Sequence, residues 1–142
     1  MRRLDQFEAR LANVPLFRAC SKQDLRLIAR LADYDTCKAG AVLVREGRRG
    51  TELFVIISGE AEVSRDGATV ATLNAGDYFG ELAVLRPAPR TATVTATTDM
   101  EVLIVTAREL AVLLSDVPLF ARKLLTGLAA RIQDGAGKHA AA

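Results

Sequence analysis

Leu53-Phe54-Val55-Ile56-Ile57-Ser58-Gly59-Glu60-Ala61-Glu62-Val63-Ser64-Arg65-Asp66-Gly67-Ala68-Thr69-Val70-Ala71-Thr72-Leu73 is the stretch, residues 53–73, that decides the fold. It opens on an unbroken apolar run and stops at Ser58-Gly59. Ala61-Glu62-Val63-Ser64 then alternates, and a second β-prone run, 68–73, faces it across Arg65-Asp66-Gly67. Asp-Gly between β-prone runs is a strong hairpin signal, because both turn positions need positive φ. Outward from this stretch the texture repeats. Val42-Leu43-Val44, Ala92-Thr93-Val94-Thr95-Ala96 and Glu101-Val102-Leu103-Ile104-Val105 are further short runs, with glycines at the turns. Residues 35–106 therefore read as a mainly β segment, an antiparallel sandwich or jelly roll.

Helices are expected on both sides. In residues 4–32, Leu4, Phe7, Leu11 and Val14 recur at helical spacing. Val14-Pro15-Leu16-Phe17 interrupts them. Ser21 three residues before Asp24 resembles a capping box, and Leu25, Ile28, Leu31 and Ala32 share the face that follows. Residues 107–134 return to helix, with Asp116 read as the N-cap of the last one and Pro118 in its first turn. Phe120, Leu124, Leu128 and Ile132 mark its stripe, and Gly127 is expected to weaken or bend it. Gly135-Ala136-Gly137 ends it, leaving a disordered tail, 135–142. The chain has 142 residues, so one domain over 1–134 is expected.

Composition narrows the functional classes. Half the residues are apolar and a quarter charged, a globular balance. No apolar run approaches the roughly 20 residues of a membrane span. No apolar segment follows the basic start Met1-Arg2-Arg3, so no signal peptide is read and a cytoplasmic chain is expected. The net charge of +2 is too mild to argue for nucleic acid. The dense basic spot is Arg45-Glu46-Gly47-Arg48-Arg49, read as a solvated loop. Cys20 and Cys37 fit no zinc or redox spacing. The single histidine, His139, leaves neither a histidine metal site nor a Ser-His-Asp triad a reasonable base, and no metal is expected.

The chemistry concentrates in residues 76–94. Gly-Glu-Leu-Ala at 80–83 is able to start a short helix whose free N–H groups favour an anion. Arg90 offers a planar fork for phosphate oxygens, and Thr91 adds a hydroxyl. Glu81, acceptor-only when ionised, suits a pair of hydroxyls. Together these describe a sugar-phosphate cradle. They describe equally well an internal Glu81–Arg90 salt bridge across a loop.

Phe79-Gly80-Glu81-Leu82-Ala83, followed by Pro89-Arg90-Thr91-Ala92-Thr93-Val94, resembles the phosphate-binding cassette of the cyclic-nucleotide-binding domain family. This is the family of protein kinase A regulatory subunits, nucleotide-gated channels and the bacterial catabolite activator. Arg45-Glu46-Gly47, 53–63 and Leu73-Asn74-Ala75-Gly76-Asp77 resemble its strands and glycines, and the likeness covers about residues 16–132. The resemblance implies an antiparallel jelly roll (double-stranded β-helix) with N-terminal helices and a C-terminal hinge and lid helix pair. It implies a non-catalytic sensor whose ligand is cyclic AMP, with cyclic GMP second, and no other cofactor. Glu81 would accept the ribose 2′-hydroxyl and Arg90 would pair the cyclic phosphate. The backbone N–H groups of Ala83 and Thr91 would complete the cradle, and Gly80 would let the backbone approach the ribose. Phe79, Leu82 and Ala92 belong to the same cassette. Val70 and Ala71 would flank the purine. Arg131 is the candidate lid residue over the base, and a solvent-facing arginine near a helix end is the other reading; Leu128 and Ile132 are alternatives for the cover.

Two departures stand out. Arg86-Pro87-Ala88-Pro89 is a stiff loop with an extra arginine, and the family's Gly-Asp before the third strand is Gly50-Thr51 here, with Glu52 next. Thr91 bears on the ligand. Its hydroxyl is able to favour cyclic GMP in this family, yet bacterial cyclic-AMP binders also carry Ser or Thr there, and the composition looks bacterial. The expected partners are the nucleotide, an unidentified effector protein and a second copy in a homodimer. A metal-dependent jelly-roll enzyme lacks its histidines here, and DNA binding by this chain alone is not expected. A nucleotide-independent contact module of the same fold, or a regulatory piece of a larger channel, kinase or transcription regulator, is the alternative.

Overall fold

The structure, a computed structural model, describes residues 2–80 and 88–133, with backbone alone for 2–6, 128 and 131–133. Helix α1 (Arg2–Leu11), a 3-10 turn (Pro15–Phe17) and α2 (Lys22–Leu31) precede eight strands. These are β1 (Asp33–Cys37), β2 (Val42–Val44), β3 (Glu52–Ser58), β4 (Ala61–Arg65), β5 (Ala68–Leu73), β6 (Tyr78–Phe79), β7 (Thr93–Ala96) and β8 (Met100–Thr106). Helices α3 (Ala107–Asp116) and α4 (Pro118–Gln133) follow. The strands form two four-stranded antiparallel sheets, ordered β1-β8-β3-β6 and β2-β7-β4-β5.

The apolar run of β3 has a tertiary cause. Leu53 and Val55 point to a core shared with the helices, whereas Phe54 and Ile56 point between the sheets. Strand β8 divides in the same way: Leu103 and Val105 join the helical core, and Met100 and Val102 join the inter-sheet core. Strands buried on both faces lose the polar alternation of half-buried ones. The hairpin forms as read, with Asp66 and Gly67 at φ of 52° and 82° and Arg65 paired with Ala68.

The helices are built from local signals and one long-range stack. Ser21 and Asp24 form a complete capping box on α2, and Thr106 with Glu109 forms another on α3. Phe17 and Phe120 stack with ring centroids 5.8 Å apart, fastening α4 to the 3-10 turn. One expectation is corrected here. Asp116 is the last residue of α3, and α4 begins at Pro118 after Val117, so Asp116 caps nothing. Proline's preset φ places it at the first helical position. Gly127 does not interrupt α4, which runs through it. The expected tail, 135–142, lies outside the described residues.

Strand β1, Asp33-Tyr34-Asp35-Thr36-Cys37, starts two residues before the β segment read at 35–106 and matches none of its apolar runs. It is polar and exposed along most of its length, so its pairing with β8 has no apolar signature. Side chains hold it instead. The Glu101 carboxylate on β8 accepts hydrogen bonds from Arg10 of α1, Tyr34 of β1 and Ser58 of β3. The Arg10 bond, ahead of the Tyr34 bond, pulls the Glu101 carboxyl down to about 2. The charged form is the one stabilised, so the contribution is complete above the ordinary carboxylate range and is lost as pH falls toward 2. Glu101→Gln is expected to cost about 1 kcal/mol at pH 7, a modest value because Arg10 is solvated. Thermal unfolding at pH 7 and pH 2.5 checks it: the gap of about 3 °C should shrink at the lower pH. An equal gap at both would show that the charge does not matter.

Candidate functional site

Among the described residues of the β region, Arg90 is the buried cation, 3% exposed. Two segments hold it. The loop after β2 binds its backbone: Arg90 N donates to Arg48 O at 2.9 Å, and Gly47 N donates to Arg90 O at 2.8 Å. Arg49 pairs with Pro89 as an isolated bridge, and Glu46 N donates to Thr93 Oγ1 at 3.0 Å. Residues 46–49 and 89–93 are thus sewn together from both sides of the arginine.

Two glycines make room for the side chain. The guanidinium Nη2 donates to Glu52 O at 3.1 Å. A Cβ on Gly50 would stand 2.4 Å from Nε and Nη2, and one on Gly80 would stand 2.7 Å from Nη1 and 2.5 Å from Glu52 O. The flat guanidinium therefore lies in a slot that only glycines leave open. Gly80 also has φ of +87°, a conformation that costs an L side chain energy. It directly follows β6, whose Phe79 stacks on Phe54 at 4.9 Å with the rings nearly parallel. That stack fixes where Gly80 begins.

The remaining expected residues divide clearly. Thr91 is exposed beside Arg90, Val70 is half exposed and Ala71 is partly buried, both on edge strand β5. The side chains of Phe79 and Ala92 are wholly buried in the inter-sheet core, so each presents its backbone to the cassette region. Glu81, Leu82 and Ala83 lie outside the described residues, as do Arg86 and Pro87 of the proline-rich loop. Arg131 is helical in α4, and its side chain, like those of Leu128 and Ile132, lies outside the described residues.

Sequence reading missed three parts of this region. Gly50 registered only as a departure from a family pattern, and its neighbour Glu52 contributes a carbonyl that no side-chain motif reports. The third is the seat of α4. A Cβ on Gly127 would stand 2.2 Å from the hydroxyl oxygen of Tyr78, so glycine is what admits the ring. Tyr78 is buried and lies two residues before Gly80, which puts α4 in direct contact with the strand that leads into the slot.

Electrostatically the arrangement suits a compact anion: a buried guanidinium, backbone hydrogen-bonded around it, and the exposed residue Thr91 alongside. The two cysteines stay apart from it, half-buried, and burial pushes both thiols up. Among the described residues no group of three His, Cys, Asp or Glu side chains is placed to hold a metal. No helix among them is long and apolar enough to cross a membrane.

Comparison with known proteins gives consistent matches. A family model described as "Cyclic nucleotide-binding domain" matches residues 35–116. The chain is 39% identical over 115 residues to a cAMP-dependent protein kinase regulatory subunit of Mycosarcoma maydis, covering 76% of this chain and 22% of that protein. It is 47% identical over 64 residues to a cGMP-dependent protein kinase of Caenorhabditis briggsae, covering 45% of this chain and 8% of the kinase. The crystal structure of Thermus thermophilus Catabolite Activator Protein superposes with a TM-score of 0.77 at 27% identity, over 84% of this chain and 59% of that one. The chain spans less than a quarter of the length of either kinase-related protein. The fungal source of the regulatory subunit gives no support to the bacterial reading of the composition.

Proposed function

The chain belongs to the cyclic nucleotide-binding domain family, and from that premise we propose that it is a non-catalytic cytoplasmic sensor of cyclic AMP, acting as one domain over residues 1–134. The observation that carries this reading is the Arg90 slot, a buried guanidinium walled by Gly50 and Gly80. Arg90 pairs the cyclic phosphate, with the backbone N–H groups of Ala83 and Thr91 beside it. Glu81 accepts the ribose 2′-hydroxyl, and Val70 and Ala71 flank the base. Cyclic AMP is preferred over cyclic GMP on the similarity to a cAMP-dependent kinase regulatory subunit over most of the chain. Thr91 and the shorter similarity to a cGMP-dependent kinase keep cyclic GMP as the competitor to test.

The output is a conformational relay. A ligand that tightens the segment after Gly80 acts on Tyr78, and Tyr78 bears on Gly127 of α4. Helix α4 in turn bears on the N-terminal 3-10 turn through Phe120 and Phe17. Ligand shifts this equilibrium only by its differential affinity for the two arrangements. Arg131 of α4 covers the base when the helix closes, and the moving helices act on an effector protein or on a second copy of the chain.

Calorimetric titration of cyclic AMP and cyclic GMP into protein refolded free of nucleotide tests the reading. Micromolar or tighter binding of cyclic AMP is expected, and silence for both nucleotides would leave a contact module of the same fold. Glu81→Ala is expected to weaken cyclic AMP by about tenfold, the loss of a hydrogen bond to a charged group. The same variant should bind 2′-deoxy-cyclic AMP about as well as the parent does. A parent that does not distinguish the two nucleotides would remove Glu81 from the ribose.

A further inference from the structure

The basic cluster Arg45-Glu46-Gly47-Arg48-Arg49 is exposed at every position. Arg45, Arg48 and Arg49 are all exposed, and among the described residues none of them forms an ion pair. Glu46, the one acid in the loop, is turned to the β4–β5 hairpin, where its Oε1 accepts from Asp66 N at 3.1 Å. Its charge offsets one of the three, so the loop carries a net charge of two positive units. This loop is also the one that grips Arg90: Arg48 O takes the Arg90 N–H, Gly47 N reaches Arg90 O, and Arg49 pairs with Pro89. Uncompensated positive charge is thereby held in fixed relation to the buried anion-binding arginine.

Resting on the nucleotide reading of that site, we propose that Arg45, Arg48 and Arg49 form a positive rim that captures the anionic ligand, a cyclic phosphodiester with one negative charge, and speeds its association. The division of labour follows from burial. Arg90 is desolvated, so its pairing with phosphate governs how long the ligand stays. The rim arginines remain hydrated and act through their field, which reaches about 8 Å at physiological salt and about 30 Å at 0.01 M. A field of one sign at the mouth of a site raises the encounter rate of an oppositely charged ligand and leaves dissociation nearly untouched.

Stopped-flow association of a fluorescent 8-substituted cyclic AMP is the test, with the parent, the triple variant Arg45→Gln/Arg48→Gln/Arg49→Gln, and Glu46→Gln. Near 0.02 M ionic strength the triple variant is expected to associate about fivefold more slowly, and near 0.5 M the difference should fall below about twofold. Its dissociation rate should stay within about twofold of the parent's. Glu46→Gln keeps an oxygen for Asp66 N and removes the offsetting charge, so its low-salt association should be faster. Equal low-salt rates in parent and variants overturn the proposal, as does a loss that appears in dissociation and persists at high salt. No binding by the parent overturns the nucleotide reading and the rim together. Binding with a flat salt dependence overturns the rim alone.

Discussion

Replacing Arg90 by alanine is expected to weaken cyclic nucleotide binding by about 2–5 kcal/mol, roughly 30- to 4,000-fold, because the phosphate charge loses its buried partner. Loop 46–49 holds the Arg90 backbone, so the segment should keep its place when the side chain is removed. Arg90→Lys is expected to recover little. The slot between Gly50 and Gly80 is flat, and an ammonium supplies neither the planar fork nor the simultaneous bond to Glu52 O. Calorimetric affinity, read beside the melting temperature of each variant, checks this. Unchanged affinity in a folded Arg90→Ala protein would remove the arginine from the site. A lysine variant as tight as the parent would mean that charge alone suffices.

Gly80→Ala is expected to damage both stability and binding. The left-handed backbone at φ +87° costs an alanine about 1–2 kcal/mol. The added Cβ also meets a backbone oxygen at 2.5 Å and the Arg90 guanidinium at 2.7 Å, an overpacking cost of about 1–3 kcal/mol. Gly67→Ala separates the two effects, since Gly67 has φ of +82° and nothing within 4 Å of its added Cβ. Gly67→Ala should lower the melting temperature by about 3–6 °C and Gly80→Ala by about twice that. Only Gly80→Ala should weaken the nucleotide. Equal losses in the two variants would show that the close approach at Gly80 carries no cost.

Much of this was legible in the chain because its signals are local. The Asp66-Gly67 hairpin, the Ser21–Asp24 capping box and the proline that opens α4 each depend on residues within a few positions of one another. The family resemblance was legible too, since the glycines and charged residues that carry it are close in sequence. Strand β1 was not, because a polar strand held by Tyr34 and by a carboxylate on β8 carries no period in its own residues. Gly127 looks in sequence like a weak point in a helix, whereas in the fold it admits Tyr78, 49 positions earlier. Asp116 had the right residue type for a cap and the wrong neighbours.

Arg90 shows the same division within one residue. Its planar guanidinium, in one short segment with Thr91 and the Gly-Glu-Leu-Ala run, makes it an anion-binding candidate in the sequence itself. Its burial, its bond to Glu52 O and the room left by Gly50 and Gly80 come from segments up to about forty positions away, brought together by the pairing of the strands. Turns, caps and strand alternation are set by steric and hydrogen-bond preferences of neighbouring residues, so a single chain displays them. Which side chain fills which gap is set by close packing between distant segments, and that became visible only once the two sheets and the helices were in place.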